Sequence, residues 1–213
     1  MIDEIKVVAR RHLATDGANL SLRAVARDMG MVSSALYRYF ASRDDLLTAL
    51  IIDGYNALGD AVESISVPDP TDLRGRWLAT GRAIREWALA NPAEYALLFG
   101  SPVPGYAAPQ DTVAAAARTP AALVKIFADG YAAGLLTADA GNFGADVRAD
   151  LAAVRDVVAP GLPESLLMRG MAGWLHLFGA VSFELFGQLN NVIEARDAFF
   201  ESQLNLIADQ TLG

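Results

Sequence analysis

Ser21-Leu22-Arg23-Ala24-Val25-Ala26-Arg27-Asp28-Met29-Gly30-Met31-Val32-Ser33-Ser34-Ala35-Leu36-Tyr37-Arg38-Tyr39-Phe40 is the stretch on which the fold turns. Leu22, Val25, Ala26 and Met29 recur at three- and four-residue spacing, which puts them on one face of a short helix that Ser21 can cap and Gly30 can stop. A second short helix starts at Ser33 or Ser34 and turns Leu36 and Phe40 inward. Ala26 is small enough for the two helices to cross closely, and Gly30 can take the positive φ of a tight turn. The pattern has the form of a helix-turn-helix. With Val25, Met29, Met31 and Leu36 in the shared core, Ser33, Ser34, Tyr37 and Arg38 are left to face outward. On spacing alone an ordinary αα-hairpin inside a bundle fits equally well.

Working outward, Ile5, Val8, Ala9 and Leu13 form the inner face of a preceding helix that stops near Gly17. Downstream, Ser42-Arg43-Asp44-Asp45 resembles a capping box with Asp in the usual Glu/Gln position. It opens a longer helix carrying Leu46, Leu47, Leu50, Ile51, Leu58 and Val62. Beyond Pro68-Asp69-Pro70 the helices lengthen. Leu73, Trp77, Thr80, Ile84 and Trp87 make one stripe; Asn91-Pro92 restarts the chain as a short helix ending near Gly100, and 101–109 is a Pro- and Gly-rich loop. Further helices are expected over about 111–134, with a break open at Thr119-Pro120 because Pro suits a first turn better than an interior. Others follow over 145–158, 163–189 and 192–210, the last capped by Asn191 with Glu194. No β-branched run alternates with period two, so the fold class is all-α. The expected division is a helix-turn-helix domain over 1–48 and a second helical domain over 49–213.

Composition narrows the function. The 213 residues are 53% hydrophobic and 20% charged, enough for a buried core and unlike a disordered chain. Cys is absent, which removes disulfides, thiolate metal sites and cysteine nucleophiles. Net charge is −8, yet residues 1–40 set Lys6, Arg10, Arg11, Arg23, Arg27 and Arg38 against Asp3, Glu4, Asp16 and Asp28, a local +2. A polyanion partner should therefore meet the first 40 residues. No Gly-x-Gly pair occurs, and the Gly spacings at 54/59 and 100/105 lead to Asp60 and Tyr106 instead of the Lys of a phosphate-binding loop. Only His12 and His176 exist, in no metal-ligand or triad spacing, so no enzyme, metal or cofactor is expected. His12 reads as a half-buried core residue. His176 is either a core or interface histidine or a polar group in a pocket. The charge-free runs 95–110 and 170–183 fall short of the roughly 18 apolar residues that span a bilayer, and Met1-Ile2-Asp3-Glu4 lacks a signal-peptide pattern. A soluble, cytoplasmic protein is the expectation.

Leu22-Arg23-x-Val25-Ala26, then Gly30, then Ala35-Leu36-Tyr37-Arg38-Tyr39-Phe40 and Ser42-Arg43-x-x-Leu46-Leu47 resemble the N-terminal domain of the TetR family of bacterial transcriptional regulators. The resemblance covers about residues 3–50. The segment Asn91-Pro92-x-x-Tyr95-x-Leu97-Leu98-Phe99-Gly100-Ser101-Pro102-Val103-Pro104-Gly105-Tyr106-x-Ala108-Pro109 is similar to the C-terminal domain of one TetR subgroup. That subgroup often carries Trp-x-x-x-His-Gly; here Trp174 and Gly179 keep the spacing, and Phe178 stands in place of the His. The resemblance implies that Ser33, Ser34, Ala35, Tyr37, Arg38 and Tyr39 line a recognition helix. It also implies that Arg23 reaches a base edge and that Ser21 and Arg43 meet phosphate. An Arg fork suits guanine O6 and N7, and hydroxyls or helix N-terminal amides can hold phosphates without a large positive charge. Arg23 as a solvated surface charge, and Tyr39 as a packing residue, stay open.

Trp77, Trp87, Phe99, Phe127, Tyr131, Trp174 and Phe178 recur on inward faces of the second domain. Core packing explains most of them; the remainder are expected to bind a small, mostly apolar effector. Phe183, Phe186, Phe199, Phe200, Leu204 and Ile207 give the last two helices more apolar surface than one bundle face needs, which suggests a homodimer. The combined expectation is a homodimeric repressor that leaves a palindromic double-stranded operator when an effector binds. A helical small-molecule-binding protein without sequence-specific DNA binding is the alternative.

Overall fold

The computed structural model describes residues 1–16, 20–141 and 143–213, among which the periodicity resolves into ten α-helices and no strand. They are α1 (Ile2–Asp16), α2 (Leu22–Asp28), α3 (Ser33–Leu36), α4 (Arg43–Glu63), α5 (Leu73–Ala90), α6 (Pro92–Phe99), α7 (Val113–Ala132), α8 (Ala145–Val158), α9 (Glu164–Leu185) and α10 (Arg196–Thr211). The stop expected near Gly17 lies outside the described residues. Ser42 caps α4 as its sequence implies, its hydroxyl accepting the Asp45 amide at 3.1 Å. Ser21 stands at the N-cap of α2, but its hydroxyl makes no capping bond.

The chain divides into two compact units, each built from separated stretches: 1–59 with 87–118, and 60–86 with 119–213. The first does not coincide with the expected boundary at residue 48. Its core contains Ile5, Val25, Leu36, Leu46, Leu47 and Leu50, but also Val103, with Ala93, Leu97 and Tyr106 packed against it. Short helices bury too little apolar surface by themselves, and α6, packed on α1, with the segment after it supplies the missing cover. Ion pairs tie the same unit together. Lys6 and Arg10 meet the Asp53 carboxylate at 2.8 and 2.7 Å, and His12 Nε2 lies 2.8 Å from Asp28.

In the second unit Trp77 and Phe127 meet edge to face, with ring centroids 6.5 Å apart, over the close-packed Gly170 and Gly173 of α9. Arg85 on α5 donates to Glu184 on α9 and Asp197 on α10 at 2.6–2.8 Å, while its guanidinium lies over the Phe200 ring. The Glu184 hydrogen bonds and the Asp197 contact hold the Arg85 pKa above its ordinary value.

Three sequence expectations change here. α7 continues through Pro120 after a single 3-10 turn at Gln110–Thr112, so the Thr119-Pro120 break does not occur. α9 ends at Leu185 instead of 189, and the following turn uses Gly187 at φ 81° and Asn191 at φ 59°. Asn191 is thereby a left-handed turn residue and not a helix cap; α10 begins only at Arg196. α9 is also long and apolar enough, by length and composition, to cross a membrane. It packs against α8 and α10 in this structure.

Candidate nucleic-acid interface

Leu22, Val25, Ala26, Leu36 and Phe40 are buried, and this fixed inner face determines what α2 and α3 present outward. Gly30 turns the chain at φ 67°, in open space where a Cβ would meet nothing, so its backbone conformation and not crowding calls for glycine. α3 proper spans Ser33–Leu36, and hydrogen bonds from the Tyr37, Arg38, Tyr39 and Phe40 amides carry the helical path on to residue 40. Ser21, Arg23, Ser34, Tyr37, Arg38 and Tyr39 are exposed; Ser33 and Ala35 are half-buried. Among the described residues, no side-chain hydrogen bond or ion pair engages Arg23, Tyr37, Arg38 or Tyr39. Arg43 differs. Its Nε donates to the Leu20 carbonyl at 3.2 Å and its Nη1 lies 3.6 Å from Asp44, so it braces the reader from within. Lys6 and Arg10 are likewise engaged by carboxylates. The positive charge offered outward by residues 1–40 comes from Arg11, Arg23, Arg27 and Arg38.

The seven aromatics expected around an effector divide between the two compact units. Trp87 and Phe99 lie in the first compact unit, the other five in the second. Trp77 and Phe127 are fully buried, Phe178 is buried, Trp174 is half-buried and Tyr131 is exposed. None of the seven lines any of the three cavities described below. They pack against neighbours: Trp77 on Gly173, Phe127 on Gly170, Trp174 on Phe178 and Phe99 on Tyr55. The dimer set also divides. Phe200, Leu204 and Ile207 are buried within the second unit, where Leu204 fills the space over Gly81; Phe183 and Phe186 are exposed and Phe199 is half-buried. A groove of about 300 Å³ over Gly179 and Ala180 is lined by Phe183, Leu189, Phe199 and the pair His176 and Gln203, hydrogen-bonded at 2.9 Å.

A short helix pair with a buried inner face, a glycine turn and an uncommitted polar outer face is the geometry of a major-groove reader. Residues 5–50 match the family model for bacterial regulatory proteins of the tetR family, and residues 77–207 match that for the tetracyclin repressor-like C-terminal domain. The chain belongs to the TetR family. It is 39% identical over 217 residues to the HTH-type transcriptional regulator Rv1816 of Mycobacterium tuberculosis, covering 96% of this chain and 90% of that one. The solved structure of regulatory protein SCO4313 superposes with TM-score 0.79 at 36% identity, over 98% of this chain and 95% of the other. A protein from Rhodococcus sp. RHA1, 23% identical over 99% and 93% of the two chains, shares the fold with TM-score 0.70. This TetR-family chain is therefore a DNA-binding transcriptional regulator and not an enzyme.

Two further cavities in the TetR-family chain carry no residue that sequence reasoning assigned to a site. One, of about 510 Å³ within the second unit, is lined by Arg76, Lys125, Asp129 and Glu63 among others. Asp129 is held by Arg76 and Lys125 at 2.8 Å each. The other, of about 590 Å³, lies wholly within the first unit, between α4, the end of α6, the 100–112 segment and the start of α7. The signal for it was present in the Pro- and Gly-rich segment after α6, which cannot close a helix-packed wall.

Proposed function

We propose that the TetR-family chain is a homodimeric, cytoplasmic repressor that binds a near-palindromic operator and is released from it by a small, mostly apolar effector. The observation that carries this reading is the uncommitted face of Arg23, Ser34, Tyr37, Arg38 and Tyr39 on a core that fixes its shape. Arg23 and Arg38 supply base-edge and phosphate contacts, and Ser21, Ser33 and Ser34 hydroxyls take phosphate oxygens. Arg43 acts chiefly by holding the Leu20 carbonyl, with phosphate contact as a secondary role. Phe183, 56% exposed on α9 beside the half-buried Phe199, supports a contact between copies, since a large apolar side chain left this open is better covered by a partner. A two-fold contact of this kind makes the operator symmetric, with half-sites about one DNA turn apart or a multiple of it.

Footprinting on the DNA flanking the protein's own coding sequence tests the reading. A protected near-palindrome that survives excess heparin supports it. Equal affinity for random duplex, lost to heparin in parallel, overturns it in favour of a protein that senses small molecules without reading sequence.

A further inference from the structure

Among the described residues 21–40, Val32 is the one exposed aliphatic side chain; every other exposed residue there is glycine or carries a charge or a hydroxyl. Val32 is also the most open of the large side chains in this stretch, 70% exposed against 45% for Tyr37 and 42% for Tyr39. A single exposed valine on an indifferent surface calls for no explanation. This one stands at the leading end of the helix whose outer side carries Ser34, Tyr37 and Arg38.

Val32 occupies a position where a polar residue would serve the fold better. It is the N-cap of α3, at φ −71° and ψ 139°, and its carbonyl accepts the Ala35 amide at 2.9 Å. Ser, Thr, Asp and Asn are preferred there because their side chains also accept a backbone amide, as Ser42 does at the start of α4. A valine side chain accepts nothing, and α3 has no side-chain cap. Packing does not account for the valine either: Met31 before it and Leu36 after it turn toward the core, and Val32 does not. The aliphatic group is therefore offered outward at a cost to the helix that bears it.

The first residues of a recognition helix are those that reach base edges in the major groove. Thymine is the base that presents an apolar group there, its C5 methyl. Arg23, Ser34 and Arg38 address polar edges, and the methyl of Ala35 is half-buried. We propose that Val32 is a specificity-determining residue whose side chain packs against a thymine C5 methyl in each half-site, so that the operator carries a T·A pair at one fixed symmetric position. The inference rests on the DNA-reading face described above and adds an apolar contact to its polar ones. Cytosine at the same place has no methyl, and the valine would then face a wet, polar edge.

The test uses the full chain and a duplex selected from a random library by the wild-type protein. Each thymine in turn, together with its symmetry mate, is replaced by deoxyuridine, which removes the methyl and leaves base pairing intact. One such pair of replacements should weaken wild-type binding about fifteenfold, from about fourfold for each methyl withdrawn from contact. In Val32→Ala the same replacements should cost no more than about twofold, a coupling that a purely structural role for Val32 would not produce. Val32→Ser supplies the missing cap, so it should raise the melting temperature while lowering affinity for the methylated duplex. That opposition keeps the test decisive whatever Val32→Ala does to folding. If no thymine pair is sensitive, or if its sensitivity is the same in wild type and both variants, the role of Val32 is overturned and DNA reading stands. If the library yields no preferred duplex, the DNA-reading face and this inference fall together.

Discussion

Leu36 and Tyr37 are neighbours with opposite duties. Leu36 is fully buried beneath the reader and Tyr37 is 45% exposed on its surface. Leu36→Ala should cost about 2–5 kcal/mol of stability, because it leaves a cavity in a close-packed core. Tyr37→Ala should keep the melting temperature and lower operator affinity, and thermal unfolding beside a DNA titration separates the two. Arg23→Ala should cost about 1–3 kcal/mol of binding and relax discrimination at one symmetric position pair. Equal losses on operator and random duplex would instead make Arg23 a phosphate contact. Such roles were legible in the sequence where periodicity sets them: Leu22, Val25, Ala26 and Leu36 lie inward as their spacing requires, and Ser34, Tyr37 and Arg38 lie outward. Arg43 was not legible in this way. Its partner is the Leu20 carbonyl, a backbone atom that no residue pattern announces.

At the scale of elements, local signals held where a side chain completes its own turn and failed where tertiary packing decides. Ser42 caps α4, and Ser42→Ala should destabilise by about 0.5–2 kcal/mol, readable as a lower urea midpoint. Asn191 has the right residue type for a cap, yet the chain spends it in a left-handed turn between α9 and α10. The aromatic stripes of α5, α7 and α9 announced burial correctly for Trp77 and Phe127; periodicity does not say whether a buried ring faces a neighbour or a void. Ion pairs between elements carry a pH dependence. Burial alone would raise Asp129, but hydrogen bonds from Lys125 and Arg76 outweigh it and hold the carboxyl below 3.8. Arg82 holds Glu201 below 4.5, against the opposing effect of burial. Both groups have folded-state pKa values depressed below the unfolded ones, so their stabilisation is complete above the unfolded values and is lost as pH falls through the folded ones. The urea midpoint should therefore drop between about pH 5 and pH 3. Glu201→Gln should flatten that drop, and added salt should reduce it, since both carboxylates are partly exposed.

For the whole molecule, the two ends of the predicted dimer set should respond differently to the same substitution. Phe183 is 56% exposed, so Phe183→Glu should give a folded monomer with weakened operator binding, detected by sedimentation at micromolar concentration. Phe200 is 3% exposed beneath Arg85, and Phe200→Glu should instead unfold the protein by burying a charge in an apolar core. A wild-type chain that sediments as a monomer removes the dimer and the symmetric operator with it. The change to longer helices after Pro68-Asp69-Pro70 was legible in the sequence, but the bounds of the second unit, 60–86 with 119–213, were not. The interleaving of the two units was not legible either, because Val103 and Leu97 join the reader core across more than forty residues of intervening chain.

That interleaving sets an order of events during synthesis. The first unit needs chain from both 1–59 and 87–118, so its core cannot close when Gly59 leaves the ribosome. Another 59 residues must follow before Arg118 also emerges, a wait of roughly 3–12 s at about 5–20 residues per second. Through that interval the nascent reader lacks Leu97, Val103 and Tyr106, and its apolar floor is open to solvent and to chaperones. Binding to the operator is thus deferred until more than half of the polypeptide exists, and a truncated product ending before α6 would be released with an unfinished, aggregation-prone reader instead of a working competitor for DNA.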